Sequence, residues 1–468
     1  MLRSVRVIGL SALVLGVLAA GARPAVAADP GARDPRIEKL LSQVSEQRLT
    51  DILKKLASFG TRNTLSSSPT PDKGIESAAK WIAGEMTKSS SRLKVSLDSY
   101  DVPKSGRITR DIKLHNVMAL LPGKSERRIY VSGHYDSFAA VRNAAAGGAA
   151  AAGRPAAAGA AGATGAAGQA APTAPAGDAP PVDNIAPGVN DDGSGTALVM
   201  ELARVFGESG IEFDATLVFI ALAGEEQGLI GATKHAEKAA ADKTVIDAVL
   251  NNDMVGNVDA PGGMQDSRRV RVFSEGPEDS ASRQLARYLV ETAARYVPTQ
   301  QVSLVARHDR FGRGGDHTAF NQKGFTAVRI TEAVESFERQ HTTADVLEGV
   351  NVPYYLRNVR LNVAAAASLA LAPPAPVVVN ERGQPSIGRQ PSGYDANLKW
   401  KASAGAVGYR VYWRDAWTPD WQHAVTVGNV TEFVMPNVSI DDFVFGVAAI
   451  NAEGNESLVA AYVNPPRR

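Results

Sequence analysis

Four short motifs in this sequence carry histidines or carboxylates, the side chains that bind divalent cations and move protons. Each of them lies at or just beyond the end of a predicted strand. The motifs are His134-Tyr135-Asp136, Asn190-Asp191-Asp192-Gly193-Ser194-Gly195, Gly224-Glu225-Glu226 and Asn252-Asp253-Met254. Ligand sites in layered α/β proteins form beyond the carboxyl ends of strands. The placement of the motifs therefore predicts one shared site.

The first two motifs each have a structural and a functional interpretation. Residues two apart in an extended segment point the same way, so Asp136 is expected to orient His134, a predicted metal ligand, or its surroundings. Asp191 and Asp192 directly precede a predicted helix, and the structural interpretation is a turn in which Asp192 or Ser194 caps that helix. Their adjacent carboxylates nevertheless repel each other, and a divalent cation is one reason to keep them together.

The pair Glu225-Glu226 follows the most apolar strand of the chain, residues 215–222. Two carboxylates at the end of a buried strand are costly unless they are paired or bound to metal. In such a pair, one carboxylate can bind the cation while the other takes a proton from its water. An exposed acidic turn is the alternative interpretation.

Asp253 and the distant His341, in the polar segment Gln340–Asp345, complete a set of ligands for two cations. Imidazole and carboxylate ligands without any cysteine suit Zn²⁺, with Mn²⁺ or Co²⁺ as substitutes. A sensible arrangement gives each cation one histidine and one terminal carboxylate, while Asp191 bridges both and Glu225 stays free. The predicted metal ligands are His134, Asp191, Glu226, Asp253 and His341.

The order of these motifs resembles that of metallopeptidase family twenty-eight, which includes secreted leucyl-type aminopeptidases and relatives of glutamate carboxypeptidase. The resemblance covers roughly residues 40–370 and does not include an Ala-rich stretch within them. It implies that His134 and Asp253 bind a first zinc ion and that Glu226 and His341 bind a second. Asp191 would bridge the two ions, with a cis peptide bond to Asp192. Glu225 would be the general base, and Asp136 would be a supporting carboxylate.

The function that this resemblance implies is peptide hydrolysis by an exported zinc-dependent exopeptidase, with an aminopeptidase favoured. A hydroxide shared by the two cations would attack the scissile carbonyl, with Glu225 as the general base. A metallocarboxypeptidase, a glutaminyl cyclase of the same superfamily and a non-catalytic module are the alternatives. The last two are disfavoured, because cyclases can dispense with part of one ligand set and inactive members lose a ligand or the base.

The glycine-rich segment Gly312–His317 resembles a family segment that ends in Asp-His near the substrate cleft. Asp316 and His317 are therefore predicted to lie near the site, as substrate-side or supporting groups. The alternative is a turn whose aspartate caps a helix. Arg329 and Glu332 flank a strand end, where a structural ion pair is a more ordinary role than binding a peptide terminus.

The motifs are embedded in a chain whose apolar strands alternate with helical segments. This pattern predicts an α/β fold, a three-layer zinc-exopeptidase-like domain with a mixed central sheet at residues 28–372. Within it, residues 144–181 are almost entirely Ala, Gly and Pro and are predicted to form a flexible insertion. After a linker at 373–392, alternating aromatic and aliphatic residues at 393–468 predict a small all-β sandwich that resembles a fibronectin type III domain.

The amino terminus and the composition restrict location and partners. Residues 1–27 combine a basic start, an apolar core and a small-residue cleavage site, which predicts a signal peptide and export to the periplasm or the medium. With 50 basic and 49 acidic residues, the chain has no one-sided charge for nucleic acid. No later apolar stretch is long enough for a membrane span. Peptides or proteins are the expected substrates, and a surface or protein partner is the expected ligand of the C-terminal domain.

Overall fold

The computed structural model of the protein describes residues 32–140 and 183–464. The predicted signal peptide at 1–27 and the predicted insertion at 144–181 lie outside the described residues. Within them, the α-helices are α1 (Pro35–Ser42), α2 (Glu46–Ser58), α3 (Gly74–Ser89), α4 (Gly193–Glu208), α5 (Ile230–Ala241), α6 (Ala281–Tyr296), α7 (His317–Gln322) and α8 (Val352–Leu371). Short 3₁₀ turns occupy Pro261–Gly263 and Leu347–Gly349. None of these helices is both long and apolar enough to cross a membrane.

A mixed sheet forms the centre of the first domain. The strands before α8 are β1 (Lys94–Val102), β2 (Ile112–Leu121), β3 (Ser125–His134), β4 (Ala215–Leu222), β5 (Ile246–Asn252), β6 (Asp259–Ala260), β7 (Met264–Gln265), β8 (Arg269–Ser274), β9 (Gln301–Val305) and β10 (Ala327–Glu332). All but the β6–β7 pair form one sheet in the order β1-β2-β4-β3-β5-β10-β8-β9. The neighbours β4, β3, β5 and β10 run parallel, so their carboxyl ends meet at one edge.

Helices cover both faces of this sheet, as the continuous burial of β4 requires. All eight residues of β4 are buried. Leu217 and Phe219 pack into one apolar cluster, whereas Val218 and Ile220 pack into another on the opposite face. The first cluster includes side chains from α1, α2, α3, α4, α6 and α8, and the second includes side chains from α5 and α7. The predicted three-layer α/β fold with a mixed central sheet is therefore confirmed.

Two antiparallel sheets follow α8 and enclose a second core. Their strands are β11 (Ile387–Gly388), β12 (Ala396–Lys399), β13 (Gly408–Asp415), β14 (His423–Val427), β15 (Glu432–Met435), β16 (Phe443–Ile450) and β17 (Ala460–Ala461). The sheet orders are β11-β12-β15 and β14-β13-β16-β17. Trp400, Tyr409 and Phe445 pack in the shared core. The predicted all-β sandwich is confirmed, while its kinship to fibronectin type III domains and the predicted domain boundaries stay predictions.

The sandwich packs against α6 of the first domain through buried polar groups. Gln284 and Arg287 on α6 are only 3% and 6% exposed, and Gln284 Oε1 accepts a hydrogen bond of 3.0 Å from Trp421 Nε1 of the sandwich. Arg414 of β13 makes an ion pair with Asp279, just before α6, in which its Nη2 lies 2.7 and 2.8 Å from the two carboxylate oxygens. One face of α6 is thus covered by the sandwich.

Replacing Arg414 by alanine is expected to lower the free energy of unfolding by about 3 kcal/mol, because the largely buried Asp279 carboxylate loses its close partner and keeps only Arg287 Nη1 at 3.8 Å. The matched control is Arg389→Ala, which removes the exposed pair with Asp441 and is expected to cost less than about 1 kcal/mol. Urea unfolding followed by circular dichroism measures both. Equal losses in the two variants would contradict a stabilising role for the domain contact.

Candidate metal centre

The four motifs meet at the sheet edge where the parallel strands end. His134 is the last residue of β3, Glu225 lies three residues beyond β4, and Asp253 directly follows β5. Asp191 lies in the loop that leads into α4, and His341 lies in the segment after β10. The structure therefore brings all five predicted metal ligands and the predicted base to one location.

Asp192 holds three of these motifs together. It is the N-cap of α4, where Oδ1 accepts a hydrogen bond from Gly195 N at 2.8 Å. The same carboxylate accepts from His134 N at 2.9 Å and from Met254 N at 3.2 Å. A Cβ on Gly195 would lie 2.3 Å from Asp192 Oδ2, so only glycine fits at this position. The structural interpretation, a helix cap, is thus correct for Asp192, while the side chain of Asp191 does not cap the helix.

Asp191 lies between the two histidines and directs one carboxylate oxygen to each. Oδ1 is 3.3 Å from His134 Nε2, and Oδ2 is 3.1 Å from His341 Nε2. The peptide bond to Asp192 is cis, as the resemblance implied. This is the geometry expected of a carboxylate that bridges two cations, each of them next to one imidazole.

Two groups of candidate ligand atoms lie here, and Asp191 belongs to one of them. In each group, one donor atom per residue lies within 4.8 Å of the others. The first group is His134, Glu225 and Asp253, and the second is Asp191, Glu226 and His341. His341 Nε2 is also 3.1 Å from Glu226 Oε2. The second group contains the two predicted ligands of the second cation, Glu226 and His341, together with Asp191. The first group contains the two predicted ligands of the first cation together with the predicted base.

The charges of the centre fit divalent cations. Burial, together with the neighbouring carboxylates of Asp253 and Glu226, raises the pKa of Glu225 well above its usual value. Burial opposes ionisation of Asp191 as well, but the imidazoles of His134 and His341 hold its pKa well below the ordinary range. Among the described residues, Glu226 Oε1 is buried without a hydrogen-bond partner. Nitrogen and oxygen donors, buried carboxylates and an unpaired oxygen are together surroundings that suit zinc.

Asp136 supports the centre in a way that the sequence predicted only in part. Its carboxylate accepts hydrogen bonds from Glu225 N and Glu226 N, both at 3.2 Å. The Nδ1 atom of His134 faces the main-chain oxygen of Asp136 at 3.1 Å, with Oδ1 farther away at 3.5 Å. The carboxylate thus positions the Glu225-Glu226 loop more directly than it positions the imidazole.

Several supporting residues of the centre were not predicted from the sequence. Asp345 accepts hydrogen bonds from Asn190 N and Asp191 N, both at 2.9 Å, and thereby fixes the bridging loop. Gln340 Nε2 donates to Asp191 Oδ2 at 2.8 Å. Both residues lie in the same short polar segment as His341. Their closeness to a predicted ligand was the sequence feature that could have identified them as supporting residues. Their targets are about 150 residues away in sequence, which no local pattern reveals.

Arg329 makes the structural ion pair that its sequence position suggested. It is 1% exposed, and its Nη2 lies 3.0 Å from Asp253 Oδ2. Its Nη1 donates to the Gly314 carbonyl at 2.6 Å. Glu332 pairs elsewhere, because its carboxylate accepts from Asn190 Nδ2 at 3.0 and 3.1 Å. Neither residue is therefore available to a peptide terminus.

Asp316 and His317 are both buried beside the centre. Among the described residues, neither oxygen of Asp316 has a hydrogen-bond partner, and burial with the nearby carboxylates of Asp136 and Asp253 raises its pKa to about 7. Burial lowers the pKa of His317 to about 3, so the imidazole is neutral, and its Nε2 lies 3.0 Å from the His308 carbonyl. His317 thus has the surroundings of a supporting group, and substrate contact by either residue stays a prediction.

The chain is similar to known proteins both in sequence and in fold. The model of peptidase family M28 matches residues 116–366. A probable zinc metalloprotease of Pyricularia oryzae is 34% identical over 466 aligned positions, which cover 91% of this chain and 84% of that protein. The LapA aminopeptidase of Legionella pneumophila shares the fold at 20% identity and a TM-score of 0.51, covering 73% of this chain and 76% of its own. A glutaminyl cyclase of Porphyromonas gingivalis does so at 14% identity and a TM-score of 0.50, covering 69% and 98%.

Proposed function

The chain belongs to peptidase family M28, and from this premise we propose that it is an exported, zinc-dependent aminopeptidase that binds two zinc ions. The observation that carries the proposal is the position of Asp191, whose two carboxylate oxygens lie 3.3 and 3.1 Å from two different histidines. In this proposal, His134 and Asp253 hold one ion, Glu226 and His341 hold the other, and Asp191 bridges them. The coarser assignment, a zinc metallopeptidase, follows from the family itself.

Bound zinc would supply Lewis acidity, which makes water more acidic and polarises a peptide carbonyl. The remaining chemistry falls to Glu225. Its burial and its carboxylate neighbours raise its pKa, which makes it a stronger base than an exposed glutamate. Glu225 then takes the proton of the attacking water and delivers it to the leaving amine. The Asp136 carboxylate holds the Glu225 main chain in place for this transfer.

The alternatives differ from an aminopeptidase in the end of the peptide that they process or in the reaction that they perform. A carboxypeptidase would remove residues from amino-blocked peptides, and a cyclase would release ammonia from an amino-terminal glutamine. Two histidines with separate carboxylate partners favour two ions over the single zinc of a cyclase. The fold alone does not distinguish an aminopeptidase from a glutaminyl cyclase, because solved structures of both enzymes share it.

Chelation is expected to abolish release of p-nitroaniline from leucine p-nitroanilide, and Zn²⁺ is expected to restore it, because the ligands of the centre are all zinc-type donors. Zinc content should be close to two per chain, measured by plasma mass spectrometry before and after chelation. The same preparations should leave an amino-acetylated peptide intact and should not cyclise an amino-terminal glutamine. Activity that persists at full rate in the metal-free protein would overturn the proposal.

Location and the role of the sandwich belong to the same proposal. The basic and apolar residues 1–27 support export, with the periplasm or the medium as destination. Detection of a mature protein that begins near residue 28 in the extracellular or periplasmic fraction tests this. We further propose that the sandwich, besides covering α6, binds a surface or a protein partner.

A further inference from the structure

Two loops beside the metal centre are joined by three arginines around one buried glutamate. We call Arg271, Arg310, Arg313 and Glu335 the arginine cluster. Glu335 Oε2 lies 2.6 Å from Arg310 Nη1 and 2.8 Å from Arg313 Nη1, while Oε1 lies 2.6 Å from Arg271 Nη2. Arg310 and Arg313 belong to the loop that leads to Asp316, and Glu335 belongs to the segment that leads to His341.

The arginine cluster carries more positive than negative charge. Burial opposes ionisation of Glu335, but the guanidinium groups of Arg310 and Arg313 lower its pKa to about 2, so it is fully charged at neutral pH. One carboxylate then faces three cations. Asp309 is the next carboxylate on the loop, and its Oδ1 lies 3.0 Å from Arg310 Nε. Its other oxygen, Oδ2, lies 3.5 Å from Nη1 of the buried Arg329, so its charge is divided between the two arginines. The cluster is therefore a place where an additional anion would be stabilised.

Arg313 is the member of the cluster with hydrogen-bond donors to spare. Arg271 and Arg310 also donate to main-chain carbonyls, and their side chains are 24% and 10% exposed. Arg313 uses only Nη1 within the described residues, and its side chain is 31% exposed. Its guanidinium also lies 5.6 Å from the centre of the exposed Phe337 ring. A partly exposed guanidinium that is anchored at one nitrogen is preorganised to bind a carboxylate.

The cluster lies close to the reacting groups. The Gly314 carbonyl, next to Arg313 in the chain, accepts from Arg329 Nη1, and Nη2 of the same guanidinium pairs with the predicted ligand Asp253. On the other side, Glu335 lies three residues after Glu332, whose carboxylate binds Asn190 beside the bridging Asp191. The side chain of Arg329 therefore connects the loop that carries Arg313 to the predicted metal ligand Asp253.

We propose that Arg313 binds a carboxylate of the substrate, namely the free carboxyl terminus of a dipeptide or tripeptide. This rests on the proposed aminopeptidase function and names its substrate class: short peptides with an open carboxyl end. An acidic side chain next to the scissile bond offers the same chemistry. The binding step forms a charge-assisted hydrogen bond and requires no other reactant.

The kinetic test compares Leu-Gly with Leu-Gly amide, and Leu-Asp amide with Leu-Asn amide. The wild-type protein is expected to show a kcat/KM about tenfold higher for Leu-Gly than for its amide. In Arg313→Ala this ratio is expected to fall to about one, and in Arg313→Lys to an intermediate value. Arg307→Ala removes a charge from the same loop without touching Glu335 and should keep the wild-type ratio. A preference confined to the Leu-Asp amide would identify a side-chain carboxylate instead and would overturn the terminal assignment.

A binding measurement separates this inference from the proposed function. Isothermal titration of zinc-loaded Glu225→Gln protein with Leu-Gly and with its amide reports affinity without turnover. Tighter binding of Leu-Gly, lost on adding Arg313→Ala, would support the inference even if the wild-type protein hydrolysed neither compound. Hydrolysis of both compounds at equal kcat/KM, or a parallel loss for both in Arg313→Ala, would overturn it while leaving the peptidase assignment intact.

Discussion

Replacing Glu225 by glutamine is expected to lower kcat on leucine p-nitroanilide by a factor of about 10²–10⁴, the usual contribution of a positioned general base. The amide has nearly the size and shape of the carboxylate but cannot accept the proton of the attacking water. Because Asp136 binds the main chain of Glu225 and not its side chain, the loop is expected to keep its conformation. The loss should therefore appear in kcat and much less in KM.

The control for this experiment is Glu338→Gln, which neutralises an exposed glutamate in the segment that carries His341. Its kcat is expected to match that of the wild-type protein. Zinc content of both variants, determined by plasma mass spectrometry, should equal the wild-type value, which shows that the loss is not a loss of metal. A Glu225→Gln protein with full zinc and full activity would remove Glu225 from the mechanism.

Replacing Asp191 by asparagine is expected to reduce bound zinc from two ions to at most one per chain and activity by at least about 10³-fold. Each carboxylate oxygen of Asp191 faces a different histidine, so the loss of its charge affects both positions. An amide also has one nitrogen in place of an oxygen, and an amide nitrogen does not bind zinc. Zinc per chain after dialysis against a weak chelator measures the effect.

Asp183→Asn is the matched control for this change, because Asp183 is an exposed aspartate in the same stretch of chain and binds Ser67. It should retain both ions and full activity. Two tightly held zinc ions in Asp191→Asn would mean that another group bridges the metals. That result would contradict the assignment of Asp191 without touching the other ligands.

The sequence predicted best those parts of the fold in which local pattern and tertiary burial agree. The strand predicted at 215–222 is observed as Ala215–Leu222, because every residue in it is apolar and every residue is buried. The segment 36–58, by contrast, has apolar residues at helical spacing throughout but forms two helices. Ser45 interrupts it, because its side chain accepts a hydrogen bond from Arg48 N and caps a new helix. The Ala-rich helix Ile230–Ala241 was not predicted, and its few large apolar residues explain why.

The site was predictable to the extent that its chemistry lies at strand ends. His134, Glu225, Glu226 and Asp253 come together because the carboxyl ends of the parallel strands β3, β4 and β5 meet at one edge, whereas Asp191 and His341 reach the same place on loops. The supporting contacts of Gln340 and Asp345 were not predictable, because these residues bind Asp191 and Asn190, which are far away in sequence. Asp192 illustrates the limit: the sequence left the helix cap open between Asp192 and Ser194, and the structure assigns it to Asp192.

The contact between α6 and the sandwich has a consequence for how such a protein can evolve. Asp279 and Arg414 are 135 residues apart but form one ion pair, and Gln284 is matched to Trp421 in the same way. Genetic exchange of one domain without the other would bring together unmatched polar groups on a largely buried surface. Substitutions on the two sides are thus expected to be under joint selection, and paired changes at these positions should recur across lineages that keep both domains.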